Sequence, residues 1–255
     1  MRDFLIYKIY MILFEVLRGL LIIILATFII VALPGVVANL ITAVIAFSVA
    51  ILAAISSQIY MTKIKGRIGE YATQKIVESY CDKRGYSYLY DIMINNDKDE
   101  MSQIDHLIIT RRGIAVIETK FNTGVVSGSE NDSIWTNVSK KHNTVVHNSN
   151  YDNPLTKNHN TIEVLKKIID REIEYYNIVV FMDKVNFKGC EVVNKFTKVG
   201  FAYDLNTIIE ELDTLSDKKI TSVEAYEIYN KIKAVNITNN ELKQEYINKM
   251  NKTNV

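Results

Sequence analysis

The chain has 255 residues, with 30 Lys and Arg against 29 Asp and Glu, a formal charge of +1, and two cysteines. That balance argues against the broad basic face with which many proteins grip nucleic acid nonspecifically. Cys81 and Cys190 are isolated, without a C-x-x-C pair, which argues against a zinc ribbon or a dithiol redox site and suits a reducing compartment.

From Gly19 through Thr62 there is no Asp, Glu, Lys or Arg. A membrane crossing needs about 20 apolar residues, so the run is too long for one span, and Pro34-Gly35 divides it into a stretch ending at Leu33 and another from Val36 to about Ile59. The pattern predicts a transmembrane helical hairpin. Arg2 and Lys8 precede it, Lys63, Lys65 and Arg67 follow it, and the turn is uncharged, which places both ends and everything downstream on the cytoplasmic side of a plasma or inner membrane. Tyr7, Tyr10 and Tyr60 suit the interface, and Glu15 and Arg18 suit a pair within one helix. The apolar core exceeds that of a signal peptide and ends at no small-residue cleavage site, so the hairpin is expected to be retained. Residues 1–62 are therefore read as a membrane anchor.

Residues 63–183 read as an α/β domain. Ile68, Tyr71, Ala72, Ile76 and Tyr80 follow a helical period that ends near Gly85. Tyr86 to Ile94 is an apolar strand, and residues 97–100 form a polar loop. Two Ile-, Val- and Leu-rich limbs then flank Arg111-Arg112-Gly113 as a hairpin would. Asn153-Pro154 opens a second helix, with Asn as cap, Pro at the first position and Leu155, Ile162, Leu165 and Ile169 as its stripe. Ile178 to Met182 is a short buried strand. Residues 184–247 read as a helical extension, with Asp204 capping a helix through Leu212 and a further helix from Ser222 to about Val235; residues 248–255 read as a disordered tail.

The hairpin is where chemistry is expected. Glu118 and Lys120 lie two apart on one strand and so share a face. A loop of Arg111-Arg112 sets Asp105 opposite Glu118, and a loop of Arg112-Gly113 sets it opposite Lys120. A three-residue loop with Gly113 in a bulge sends Asp105 to the other face. Two carboxylates side by side in apolar surroundings repel unless a cation compensates them. Mg2+ takes one or two carboxylates and leaves its other positions to water and phosphate, and it activates water for attack on a phosphodiester. Lys120 beside it can orient the water or neutralise charge on a phosphate oxygen. The plainer alternative is an ion-pair network near a strand end. His106 points away from Asp105 as a buried histidine. His142 and His147 lie in an Asn-rich stretch without the cysteines or compact context of a zinc or HNH site, and the sequons at Asn131, Asn137, Asn236 and Asn251 read as coincidental.

The order of these features resembles the nuclease-related domain, NERD, of the PD-(D/E)xK restriction-endonuclease-like superfamily. The likeness rests on Gly66 to Glu70, Asp99-Glu100 leading into Gln103-Ile104-Asp105-His106-Leu107, Gly113 to Lys120, Gly124 to Gly128, Trp135 and Asn153-Pro154-Leu155. It implies a mixed sheet flanked by helices, with Asp105 and Glu118 as ligands of Mg2+ or Mn2+, Lys120 as the catalytic lysine and Glu70 as an auxiliary acid. The superfamily's proline before the first acid is Ile104 here. Where the family often carries glutamine, this chain has Lys157. Gln103, Lys157, Arg111 and Arg112 are the expected substrate contacts.

Two functions of different classes follow. One is a membrane-anchored, metal-dependent nuclease hydrolysing phosphodiester bonds of nucleic acid, with DNA the expected substrate. The other is a noncatalytic membrane-tethered module that uses the same fold to bind nucleic acid or a protein. Local groups such as Lys63, Lys65, Arg67, Arg111, Arg112, Lys140 and Lys141 would supply affinity, the first three being explained equally by membrane topology and the two arginines by a solvated turn.

Overall fold

A computed structural model describes residues 17–25, 36–95, 101–141, 144–182 and 185–238, without the side chains of 36–42, 53–64, 140–141 and 144–147. The chain divides into two compact units, Met1–Arg67 and Ile68–Val255.

In the first unit, residues 17–25 are helical (α1), and helix α2 (Val36–Arg84) begins where the second membrane span was expected and continues past the unit boundary. Among the described residues no helix is long and apolar enough to cross a membrane. The expected turn at Pro34-Gly35 and the end of the first span lie outside the described residues. Most described apolar side chains of this unit are exposed, with Leu21 at 58%, Ile23 at 60%, Phe47 at 70% and Leu52 at 65%.

The second unit is mixed α/β with two mixed sheets. β1 (Ser87–Asn95), β2 (Met101–Ile109) and β3 (Gly113–Lys120) form an antiparallel meander, while β7 (Glu174–Phe181) and β9 (Thr197–Phe201) add in parallel, in the order β1-β2-β3-β7-β9. The parallel pairing of β3 with β7 requires a crossover, which contains helix α3 (Pro154–Ile169). β3 is consequently central and flanked on both edges, and Gly113 through Thr119 are all buried. Its run of Ile, Ala and Val suits burial on both faces.

Each face of this sheet is covered by helices. On one, Ile108, Ala115, Ile117, Ile178 and Val180 pack with Val77, Tyr80 and Cys81 of α2 and with Leu205, Ile209 and Leu212 of α4 (Leu205–Leu215). On the other, Leu107, Ile109, Ile114 and Val116 pack with Ile162, Leu165 and Ile169 of α3 and with Ile228 and Ile232 of α5 (Ser222–Val235). The segment expected to be purely helical thus contributes β8 (Val185–Lys188) and β9 as well as α4 and α5. Asp204 does not cap α4 with its side chain. It ends a short 3-10 turn, Ala202–Asp204, whose bonds already lead the backbone into the helix. The cap of α5 is a full capping box between Thr221 and Glu224.

A second sheet, in the order β6-β5-β4-β8, is built from β4 (Gly124–Ser127), β5 (Ile134–Lys141), β6 (Thr144–Asp152) and β8. Trp135 of β5 is fully buried with Val126, Leu155, Val179, Phe181 and Val185, so this sheet has its own apolar cluster beside the start of α3. The expected polar loop at 97–100, His142 and the tail at 248–255 lie outside the described residues.

Candidate active site

The β2–β3 turn decides which side chains meet. The pairs Ile109↔Ile114 through His106↔Ile117, with the Thr110 amide donating to the Gly113 carbonyl at 2.9 Å, make Arg111-Arg112 the two-residue loop. Continuing that register by one step sets Asp105 across from Glu118. The pairing ends there, and the carboxylate Oδ2 of Asp105 accepts the Thr119 amide at 2.8 Å. The side chain replaces a ladder bond, which fixes a carboxylate where the β2–β3 ladder ends.

Glu118 is the centre of the site. Its side chain is only 3% exposed, and Lys120 Nζ donates to its Oε1 at 2.8 Å. Lys157 Nζ reaches both of its oxygens, at 3.0 and 2.8 Å. The two lysines are 28% and 35% exposed, so both ammonium groups bridge solvent and a buried acid. Burial raises the pKa of Glu118, but Lys120 and Lys157 together outweigh it and hold the carboxyl below its ordinary range. Asp105 is pushed the other way, to about 7, by burial first and then by the negative charges of Glu118 and Glu70, against the pull of Lys157. Two neighbouring acids with opposed shifts are a common mark of a functional site.

Several residues hold this geometry. Gly69 packs α2 closely on the end of β3: a Cβ there would lie 3.2 Å from Met182 Cγ and 3.6 Å from Thr119 Cγ2. Glu70 follows it in the same helix, close enough for its charge to act on Asp105. On the opposite face, Asn153 accepts the Leu155 amide and donates to the carbonyls of Ser129, Glu130 and Asp132 at 3.1, 3.0 and 2.6 Å. That loop is itself set by Gly128, where a Cβ would stand 2.3 Å from the Trp135 ring, and by the Trp135 indole N–H donating to the Ser129 carbonyl. Asn158 is buried and donates to the carbonyls of Val116 and Ile178, clamping α3 to β3 and β7. Lys157 lies between these two anchors.

The structure therefore gathers Asp105, Glu118, Lys120 and Lys157, with Glu70 within electrostatic range. Arg111 and Arg112 are not brought there. They sit at the opposite end of β3, roughly 20 Å away at ~3.3 Å per residue. Arg112 donates to the Ser216 carbonyl at 2.7 Å and receives the Ser216 hydroxyl on its own carbonyl, while the Arg111 carbonyl takes the Ile220 amide. These contacts fasten the turn to the α4–α5 connection. Gln103 pairs with Asp91 in β1 at 3.5 Å. The supporting role of Asn158 escaped the sequence reading, although it falls on the buried stripe of α3 with Leu155, Ile162 and Leu165, where an amide signals a backbone clamp.

Among the described residues no group of three or more His, Cys, Asp or Glu side chains is placed to hold a metal ion. The available acidic donors are the pair Asp105 and Glu118, with Asp105 Oδ1 left over from the bond to Thr119.

The family model of the nuclease-related domain, NERD, matches residues 65–182, the segment that runs from α2 to the end of β7 and contains these side chains. An uncharacterized protein of Bacillus anthracis is 26% identical to this chain over 189 residues, spanning 74% of this chain and 84% of that protein. No solved structure matches the chain.

Proposed function

We propose that this protein is a metal-dependent nuclease of the PD-(D/E)xK, restriction-endonuclease-like class, hydrolysing phosphodiester bonds with DNA as substrate, and that its apolar N-terminal run attaches it to a membrane. The observation that carries the reading is Glu118: a buried carboxylate at the end of a central strand, across from Asp105 and in contact with two lysines.

The donor set fits Mg2+ or Mn2+, which take one or two carboxylates and complete their shell with water and phosphate. Such an ion, held by Asp105 and Glu118, would supply an activated water and neutralise charge on the phosphate. Lys120 presents an ammonium that can donate to a non-bridging phosphate oxygen or to the oxygen of the attacking water. Lys157 offers a second positive charge beside it. Glu70, through its charge on Asp105, tunes the acid pair. Membrane attachment is supported by the uncharged run from Gly19 to Thr62 and by the exposed Leu21, Ile23, Phe47 and Leu52. The basic residues on either side of the run support a cytoplasmic catalytic domain.

The test is cleavage by the full chain in detergent, on single-stranded and duplex DNA and RNA, with Mg2+, Mn2+ or chelator. Metal-dependent cleavage is expected, and Glu118→Ala and Lys120→Ala each lower its rate by about a hundredfold or more. A second reading, a noncatalytic module binding nucleic acid or protein, is favoured by one observation: ammonium groups occupy both oxygens of Glu118. It expects binding without turnover, unchanged by Glu118→Ala.

A further inference from the structure

We propose that Lys157 is a tethered competitor of the divalent ion: it occupies Glu118 in the metal-free protein and must swing off that carboxylate for the metal to load. This inference rests on the nuclease reading of the site and adds a control on its metal affinity.

The two lysines are not equivalent. Lys120 touches only Oε1 of Glu118, whereas Lys157 straddles Oε1 and Oε2 at 3.0 and 2.8 Å. Any new ligand on Oε2 therefore meets the Lys157 ammonium. Charge points the same way. Asp105 and Glu118, when ionised, are balanced by Lys120 and Lys157, so a divalent ion entering with all four charges in place meets a set that is already neutral. Removing one ammonium leaves a net negative set for it to join.

The protein also confines the movement to this side chain. Asn153 and Asn158 fasten α3 on either side of Lys157, through carbonyls of the 129–132 loop and of β3 and β7. The backbone there is held, while the lysine side chain is 35% exposed and the acid it touches 3% exposed. The ammonium can leave toward solvent by rotamer change alone. Released, it stays on the first turns of α3, beside the place where a phosphate would meet Lys120.

The experiment titrates the full, detergent-solubilised chain with Mn2+, reading free ion by electron paramagnetic resonance at fixed ionic strength. Lys157→Gln should bind Mn2+ roughly tenfold or more tightly than the unaltered protein, because one like charge has gone. Lys157→Arg should bind as the unaltered protein does, and Glu118→Gln should bind least. In the unaltered chain, acetylation of Lys157 by acetic anhydride, followed by mass spectrometry, should quicken as Mn2+ is added, and this arm holds even where a variant fails to fold. Equal or weaker Mn2+ binding by Lys157→Gln, or labelling of Lys157 indifferent to Mn2+, overturns the inference. Cleavage assays on the same samples separate the two readings. Metal-dependent cleavage with unchanged Mn2+ affinity keeps the nuclease and removes the competitor; tightened Mn2+ binding without cleavage does the reverse.

Discussion

At the scale of single residues, β2 places two ionisable groups side by side with different fates. Asp105 faces the acid site, and its neighbour His106 faces the opposite side of the sheet, 2% exposed, with neither ring nitrogen hydrogen-bonded. Burial lowers the His106 pKa from 6.5 to about 4. The sign follows from proton binding. Between about pH 6.5 and 4 the unfolded chain protonates this imidazole and the folded chain does not, so His106 costs stability as pH falls through that window. Asp105 acts in the opposite sense, since its folded pKa of about 7 lies above the ordinary 3.8 and protonation favours the fold as pH falls from 7 toward 4. In chelator, His106→Leu should therefore show a smaller loss of melting temperature between pH 7 and 5 than the unaltered chain. Parallel curves would rule out a titrating histidine in the core.

At the scale of elements, helix α3 matters more for where it starts than for what it buries. Its first turn carries Lys157, and Asn153 fixes that turn to the loop under Trp135. Asn153→Ala removes a cap and the amide that donates into the 129–132 loop, so it should cost about 2 kcal/mol or more in urea denaturation and disturb the site as well. Thr221→Ala, at the exposed capping box of α5, should cost about 1 kcal/mol and leave cleavage unchanged. If the two variants lose the same stability and both retain activity, α3 is not the positioning element argued for here. The second sheet belongs to this scale too. Its strands β5 and β6 are rich in Asn, Ser, Thr and Lys, and so gave little alternation to read.

At the scale of the whole molecule, the apolar N-terminus and the α/β domain are separate questions. With membrane attachment as proposed, the full chain should float with lipid vesicles in a density gradient, and a chain lacking residues 1–62 should remain at the bottom. Flotation of both would move the lipid contact into the second unit. For the candidate site, strand period alone put Glu118 and Lys120 on one face, because side chains two apart point the same way whatever surrounds them. The hydrophobic runs announced a buried hairpin, and Asn153-Pro154 announced a helix start, because both signals are local. Local chemistry left three registers for Asp105, and only the closed turn with its Thr110 to Gly113 bond selected one. The same holds for Lys157 and Arg112. They lie 39 residues from Glu118 and 104 from Ser216 along the chain, so only the parallel crossover and the closing α4–α5 connection could bring one lysine into the site and turn one arginine away from it.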